Sequence, residues 1–114
     1  MSQPSSIPHF NANTVEGTPV PQYGGTEAVL YTSQDGKRLA GSFRESGTHT
    51  MVMPFDEFVY LIGGSVTLTV AGEEPLVLSA GDCAYLTAGQ EVTWEMSDDF
   101  HDVTVLISDT KIEY

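Results

Sequence analysis

A few carboxylates and imidazoles carry the proton-transfer and metal-binding potential of this chain. Foremost is Glu57, in the run Asp56-Glu57-Phe58-Val59-Tyr60-Leu61-Ile62. On a strand, side chains alternate between faces, so Glu57 shares one face with Val59 and Leu61. A carboxyl among such neighbours is held neutral by desolvation, which moves it toward the range of a general acid or base. The plainer alternative is a glutamate that ties down nearby backbone or pairs with Arg44. His101 enters through a predicted hairpin. If Asp98-Asp99 is a two-residue turn, Met96 faces His101, Trp94 faces Val103 and Val92 faces Val105. That register puts His101 inside beside Val92, where it would work with Glu57 as an acid/base pair. A slip of one residue sends it to solvent. His49 is expected on the outer face if Thr50 points inward, so a ligand role for it requires a bulge. His9 reads as a solvated residue.

Around these, Arg44 would bind a substrate carboxylate bidentately, or else pair with Glu45. Tyr85, Trp94, Phe43 and Tyr31 are candidates for the aromatic wall of a small-molecule site. Trp94 alternates with Val92 and Met96, so core packing is its other reading. Tyr60 falls on the face opposite Glu57. Cys83 has no neighbouring base and sits in negative surroundings, so it reads as a small core residue. Asp98, Asp99 and Asp102 read as a solvated acidic hairpin tip without the ordered oxygen pattern of a calcium loop.

The elements that must position these groups are short. The chain has 114 residues, fitting one domain, with 16 acidic residues against four basic ones and a net charge of −12. Only Lys37, Arg38, Arg44 and Lys111 are basic, and they form no patch, which argues against nucleic acid or an anionic membrane as partner. A single cysteine excludes an internal disulfide framework. The N-terminal stretch lacks the basic and apolar regions of a signal peptide, and the longest apolar run, Phe58 to Ile62, is far below the ~20 residues that span a bilayer. A cytoplasmic protein is the expectation.

Residues 1–26 are polar and broken by Pro4, Pro8, Pro19, Pro21 and Gly24-Gly25, and read as an extended N-terminal arm. Residues 27–114 read as one β domain. Ala28–Thr32 and Leu39–Phe43 flank the hairpin signal Gln34-Asp35-Gly36. Further strands follow at Thr50–Met53, Glu57–Ile62, Ser65–Val70, Leu76–Leu78, Cys83–Leu86, Val92–Met96 and Phe100–Ile107, with turn residues between them. No stretch shows helical periodicity. Many short strands at even spacing predict an all-β sandwich or jelly-roll barrel.

Two stretches carry a resemblance. Asp56 to Thr69, with Gly63-Gly64 at its centre, resembles the first motif of the cupins. Ser79-Ala80-Gly81-Asp82 followed by Tyr85-Leu86-Thr87-Ala88-Gly89 resembles the second. The Asp56–Tyr60 run with Trp94 is most similar to small single-domain cupins related to ureidoglycine aminohydrolase. The resemblance implies a cupin-type jelly-roll β-barrel with a small-molecule ligand or substrate inside it, often as a homodimer. It also implies a divalent metal on two histidines, a glutamate and a third histidine. Aligned on Glu57 and Gly64, those histidine positions hold Thr50, Val52 and Val92, which leaves Glu57 alone of the usual ligands. Thr50, Val52 and Val92 are then expected to line a drier ligand pocket. A relocated metal site would draw on His49, Glu57 and His101. Two functions stay open: an enzyme with Glu57 as acid/base, or a non-catalytic binding module.

Overall fold

The computed structural model describes residues 6–113. The first five residues of the predicted arm, and Tyr114, lie outside the described residues. Among the described residues, ten strands and one short 3₁₀ turn make up the fold. A six-stranded antiparallel sheet has the order β1 (Thr18–Val20), β2 (Gly25–Thr32), β3 (Arg38–Arg44), β10 (His101–Ile107), β5 (Asp56–Gly63) and β8 (Cys83–Leu86). A four-stranded sheet has the order β4 (Gly47–Val52), β9 (Glu91–Met96), β6 (Ser65–Val70) and β7 (Leu76–Ser79). The chain crosses between sheets as it goes, giving the jelly-roll arrangement expected from short alternating strands. The two sheets face each other as a flattened, unclosed barrel.

Between them lies the core. Val59, Leu61, Val66, Leu68, Val92 and Phe100 are all buried there. Each strand contributes alternate residues, which is why Val59 and Leu61 are sealed while Phe58 and Tyr60 stay exposed. The turn after β5 depends on Gly64. Its backbone is left-handed (φ +70°), and a Cβ there would stand 2.7 Å from the Asp99 carbonyl.

The strands at residues 65–70 and 83–86 fall where the sequence places them, and the Asp35-Gly36 turn joins β2 to β3. The predicted pairing of the last two strands does not form. Asp98-Asp99 carries the chain from one sheet to the other, so β9 pairs with β4 and β6, while β10 pairs with β3 and β5. The arm also has structure: β1 pairs with β2, and the 3₁₀ turn Pro21–Tyr23 sits between them. The Ser46 N–H donates to the Tyr23 carbonyl (2.9 Å), fastening this turn beside the start of β4.

Candidate functional site

A cavity of about 120 Å³ opens between the sheets. Period-two alternation decides what lines it. From β5 comes Glu57, in line with buried Val59 and Leu61. β3 supplies Phe43, and Glu45 lies two residues further along the same face. β4 supplies His49 and Met51, β9 supplies Trp94 and Met96, and β10 supplies Thr104 and Leu106. Phe55 and Tyr23 complete the wall from the segments flanking the strands. Tyr23 meets His49 edge to face, with ring centroids 5.0 Å apart. The His49 Nε2 lies 3.0 Å from the Ser46 carbonyl.

Gly25 permits this mouth. A Cβ on it would fall 1.6 Å from the Arg44 carbonyl oxygen, so only glycine lets β2 run this close to the end of β3. The turn carrying Tyr23 is thereby drawn over the cavity.

The electrostatics centre on three carboxyls. Burial, reinforced by the charge of Glu45, pushes Glu57 up to about 8. Glu57 keeps some solvent exposure because it sits on the wall of an open cavity, but protein surrounds the rest of it. Burial likewise raises Glu45 to about 7, with His49 opposing and Glu27 adding to the rise. Asp102 is 1% exposed and is raised well above the carboxylate range by burial, then by Glu57 and Glu45, against a hydrogen bond from the Phe43 backbone. Among the described residues, three buried polar atoms have no partner: Trp94 Nε1, Thr104 Oγ1 and Asp102 Oδ1. Two of these residues, Trp94 and Thr104, line the cavity.

The structure therefore brings together Glu57, Trp94, Phe43 and His49 of the residues singled out from the sequence, and disperses the others. His101 faces the opposite way. Its Nε2 lies 2.9 Å from the Ser42 hydroxyl, beneath Ala12, Val15 and Gly17 of the arm. Burial lowers its pKa, and Arg44 lowers it further. The acid/base pair with Glu57 is corrected accordingly, because the register that would have put His101 inside belongs to a hairpin that does not form. Arg44, on the same outward face as His101, is exposed and does not line the cavity.

Thr50 and Val52 also point outward. Thr50 shares a hydrogen bond with Thr93 on the exposed face (2.9 Å), and Val52 is 61% exposed. The inward residues of β4 are His49 and Met51, one step out of phase with the expected alignment. Val92 does face inward but is sealed in the apolar core rather than on the cavity wall. Tyr85 lies on the outer face, donating its hydroxyl to Asp56 (2.7 Å), while Asp56 also accepts from the Ala88 N–H (2.9 Å). Cys83 is exposed, not a core residue, and Asp102 is buried, not part of a solvated tip.

The relocated metal set fails on the same geometry. His49 and Glu57 reach the cavity, but His101 does not. Among the described residues no three His, Cys, Asp or Glu side chains gather as a group able to hold a metal ion. These donors do not fit the divalent metal that the cupin resemblance implies.

Glu45, Tyr23 and Asp102 were not singled out as site residues. A signal for Glu45 existed in the two-residue step from Phe43, an aromatic candidate on a strand. Asp102 and Thr104 were obscured by the aliphatic row Val103, Val105 and Ile107, which faces away from the cavity.

Two facing antiparallel sheets with a ligand-sized cavity between them define a cupin-type jelly roll. The family description of the EutQ-like cupin domain matches residues 32–101, well over half of the chain, and the protein belongs to that family. Solved structures agree on the fold. The EutQ protein of Clostridium difficile aligns at TM-score 0.66 and 16% identity, covering 94% of this chain and 81% of that one. KdgF from Halomonas sp. aligns at 0.69 and 14%, covering 86% and 90%. The Cnp3 cupin domain of Schizosaccharomyces pombe aligns at 0.72 and 9%, covering 89% and 74%. No curated protein matches the sequence.

Proposed function

We propose that this cupin binds a small polar metabolite in the cavity between its sheets and that Glu57 exchanges a proton with it. The supporting observation is the placement of Glu57 and Glu45 on one wall of a mostly apolar cavity, with burial raising Glu45 to about 7 and Glu57 to about 8. At neutral pH Glu57 retains its proton, while Glu45 is partly ionised. An acid and a base then face the same bound molecule, which is the requirement for moving a proton from one of its atoms to another. Trp94 and Phe43 supply flat apolar surface against which a small molecule is held. The similarity of the Asp56–Tyr60 run and Trp94 to ureidoglycine aminohydrolase-like cupins supports a metabolite of modest size.

The test is a screen of small polar metabolites for thermal stabilisation, since a ligand that binds only the folded state raises its stability. Hits are then assayed for turnover with the wild type and with Glu57→Gln. Stabilisation in both proteins, with turnover only in the wild type, supports the reading. Equal turnover in the two overturns the role of Glu57.

A second reading is a binding module without chemistry. It is favoured by the inward Met51 and the sealed Val92, which give the interior apolar walls on two of the strands where the resemblance expects metal ligands. Recovery of every bound ligand unchanged after long incubation would select it. In either case the protein is proposed to be cytoplasmic and to self-associate. Phe58, Tyr60, Tyr85 and Val105 form an exposed apolar surface on the six-stranded sheet that suits a second copy. Light scattering across a dilution series checks this. Among the described residues, no helix is long and apolar enough to cross a membrane.

A further inference from the structure

The arm ahead of β1 lies on the six-stranded sheet. Phe10, Ala12, Val15 and Gly17 are half-buried against its outer face, while Asn11, Asn13, Thr14 and Glu16 are exposed. Two contacts hold the arm there. Phe10 enters an apolar groove with Leu30, Phe58, Val103 and Val105. Further along, Ala12, Val15 and Gly17 roof a recess of about 10 Å³ that also holds Ser42, Arg44 and His101. That space barely admits one water molecule, and the imidazole beneath it is 4% exposed.

A positive charge on this ring has little to support it. Burial first, and then the Arg44 guanidinium, favour the neutral ring, against a hydrogen bond to the Ala12 backbone that favours the charged one. Among the described residues no carboxylate stands in the recess. β3 presents Ser42 and Arg44, β2 presents Thr26 and Ala28, and β5 ends beside the ring in Gly63. Glu27 pairs with Phe43 on the inward side of β2, and Glu16, Asp98 and Asp99 are exposed.

We propose that the arm is a strap released by acid, with His101 as its catch. A proton arriving on His101 charges a ring that has no counter-ion, and the charge is relieved when residues 10–17 lift and solvent reaches it. The groove left by Phe10 then joins the exposed surface of Phe58, Tyr60 and Tyr85. Above the ordinary histidine range the ring is neutral whether the arm is down or lifted, so the strap stays closed. Below that range the lifted state binds more protons, and opening rises by at most about tenfold per pH unit. The core responds in the opposite sense, because its interior carboxyls favour the folded state as pH falls.

That opposition makes the test clean. Amide protection factors, corrected for the intrinsic pH dependence of exchange, are measured on the full chain from about pH 7.5 to about pH 5, either side of the histidine range. Thr14 and Val15, whose N–H groups donate to the Asn11 carbonyl (3.1 and 2.9 Å), report on the arm. Leu61, whose N–H donates to the Asp82 carbonyl (3.0 Å), reports on the core. Arm protection should fall below about pH 6.5, by no more than about tenfold per unit, while Leu61 holds or gains protection. His101→Gln is neutral at every pH and should flatten the arm's profile. Arg44→Gln removes the cation beside the ring and should shrink the fall. The His101 ring resonances of the wild type, which need no variant, should titrate below the ordinary histidine value. Arm protection that stays constant or rises with acid overturns the strap, as does an equal fall in His101→Gln. A fall shared in step by Leu61 is global unfolding and also overturns it. Titration of the ring at or above its ordinary value removes the catch.

Discussion

His101 and Asp102 are neighbours in the chain and are both buried, yet they are buried in opposite directions. His101, 4% exposed, lies under the arm against Ser42, and Asp102, 1% exposed, faces the carboxyls of the interior. β10 is an inner strand of its sheet, with β3 on one side and β5 on the other, and both of its faces are covered at this end. One histidine thus anchors the outside of the barrel while the next residue places a carboxyl, held toward its neutral form by burial, on the inside.

Replacing His101 with Ala should accordingly loosen the arm without touching ligand binding. The variant loses the contact with Ser42 and opens a gap under residues 12–17, at an expected cost of ~1–3 kcal/mol. Limited proteolysis should cut within the arm faster, while a ligand found for the wild type binds with unchanged affinity. A selective loss of ligand binding would return His101 to the site.

The interior carboxyls make stability fall as pH rises. Glu57 and Glu45 hold protons in the folded state that the unfolded chain releases near its ordinary carboxylate range, so the folded state binds more protons between the two. Their contribution is complete below about pH 4.5 and is lost as pH passes through about 7 and 8. Each group supplies a slope of at most ~1.4 kcal/mol per pH unit in that window. Melting temperature measured from pH 5 to pH 8.5 should therefore decline in the wild type, and more shallowly in Glu57→Gln. A flat wild-type profile contradicts the burial of these acids.

Gly25→Ala tests how the mouth of the cavity is built. The new Cβ meets the Arg44 carbonyl, so β2 and the turn bearing Tyr23 must shift outward. The expected loss is ~1–3 kcal/mol of stability together with weaker ligand binding. Gly72→Ala, whose left-handed position faces no atom within 4 Å, should cost stability through backbone strain alone and leave binding intact.

Restoring histidines at Thr50, Val52 and Val92 would not create an interior metal site. Two of the three imidazoles would stand on the outer face of β4, and the third would displace a sealed core valine. Metal analysis of the folded triple variant should find no interior-bound ion. Stoichiometric metal with loss of cavity exposure would show that β4 can shift by one residue.

The sequence was most informative where local patterns decide structure. The Asp35-Gly36 hairpin, the alternation through Glu57, Val59 and Leu61, and the turn at Gly63-Gly64 are all short-range, and each stands where it is expected. The site was legible only in part because strand pairing is long-range. Asp98-Asp99 looks like a two-residue hairpin turn, but the jelly roll uses it to change sheets. That one event transfers His101 from inside to outside and brings Asp102 in. The phase of β4 was lost in a similar way: counting back from Glu57 crosses Met53-Pro54-Phe55, a connection outside the strands, so parity at Thr50 does not carry over.

Trp94 is the only tryptophan in the chain, and it stands on the cavity wall with its indole N–H unpartnered. The protein consequently carries a single indole fluorophore, set in the cavity wall. Its emission arises from that one environment, without a second indole to dilute it. Filling the cavity, ionising the neighbouring glutamates or displacing Tyr23 from the mouth would each alter the same spectrum, so the state of the interior can be followed in unlabelled protein.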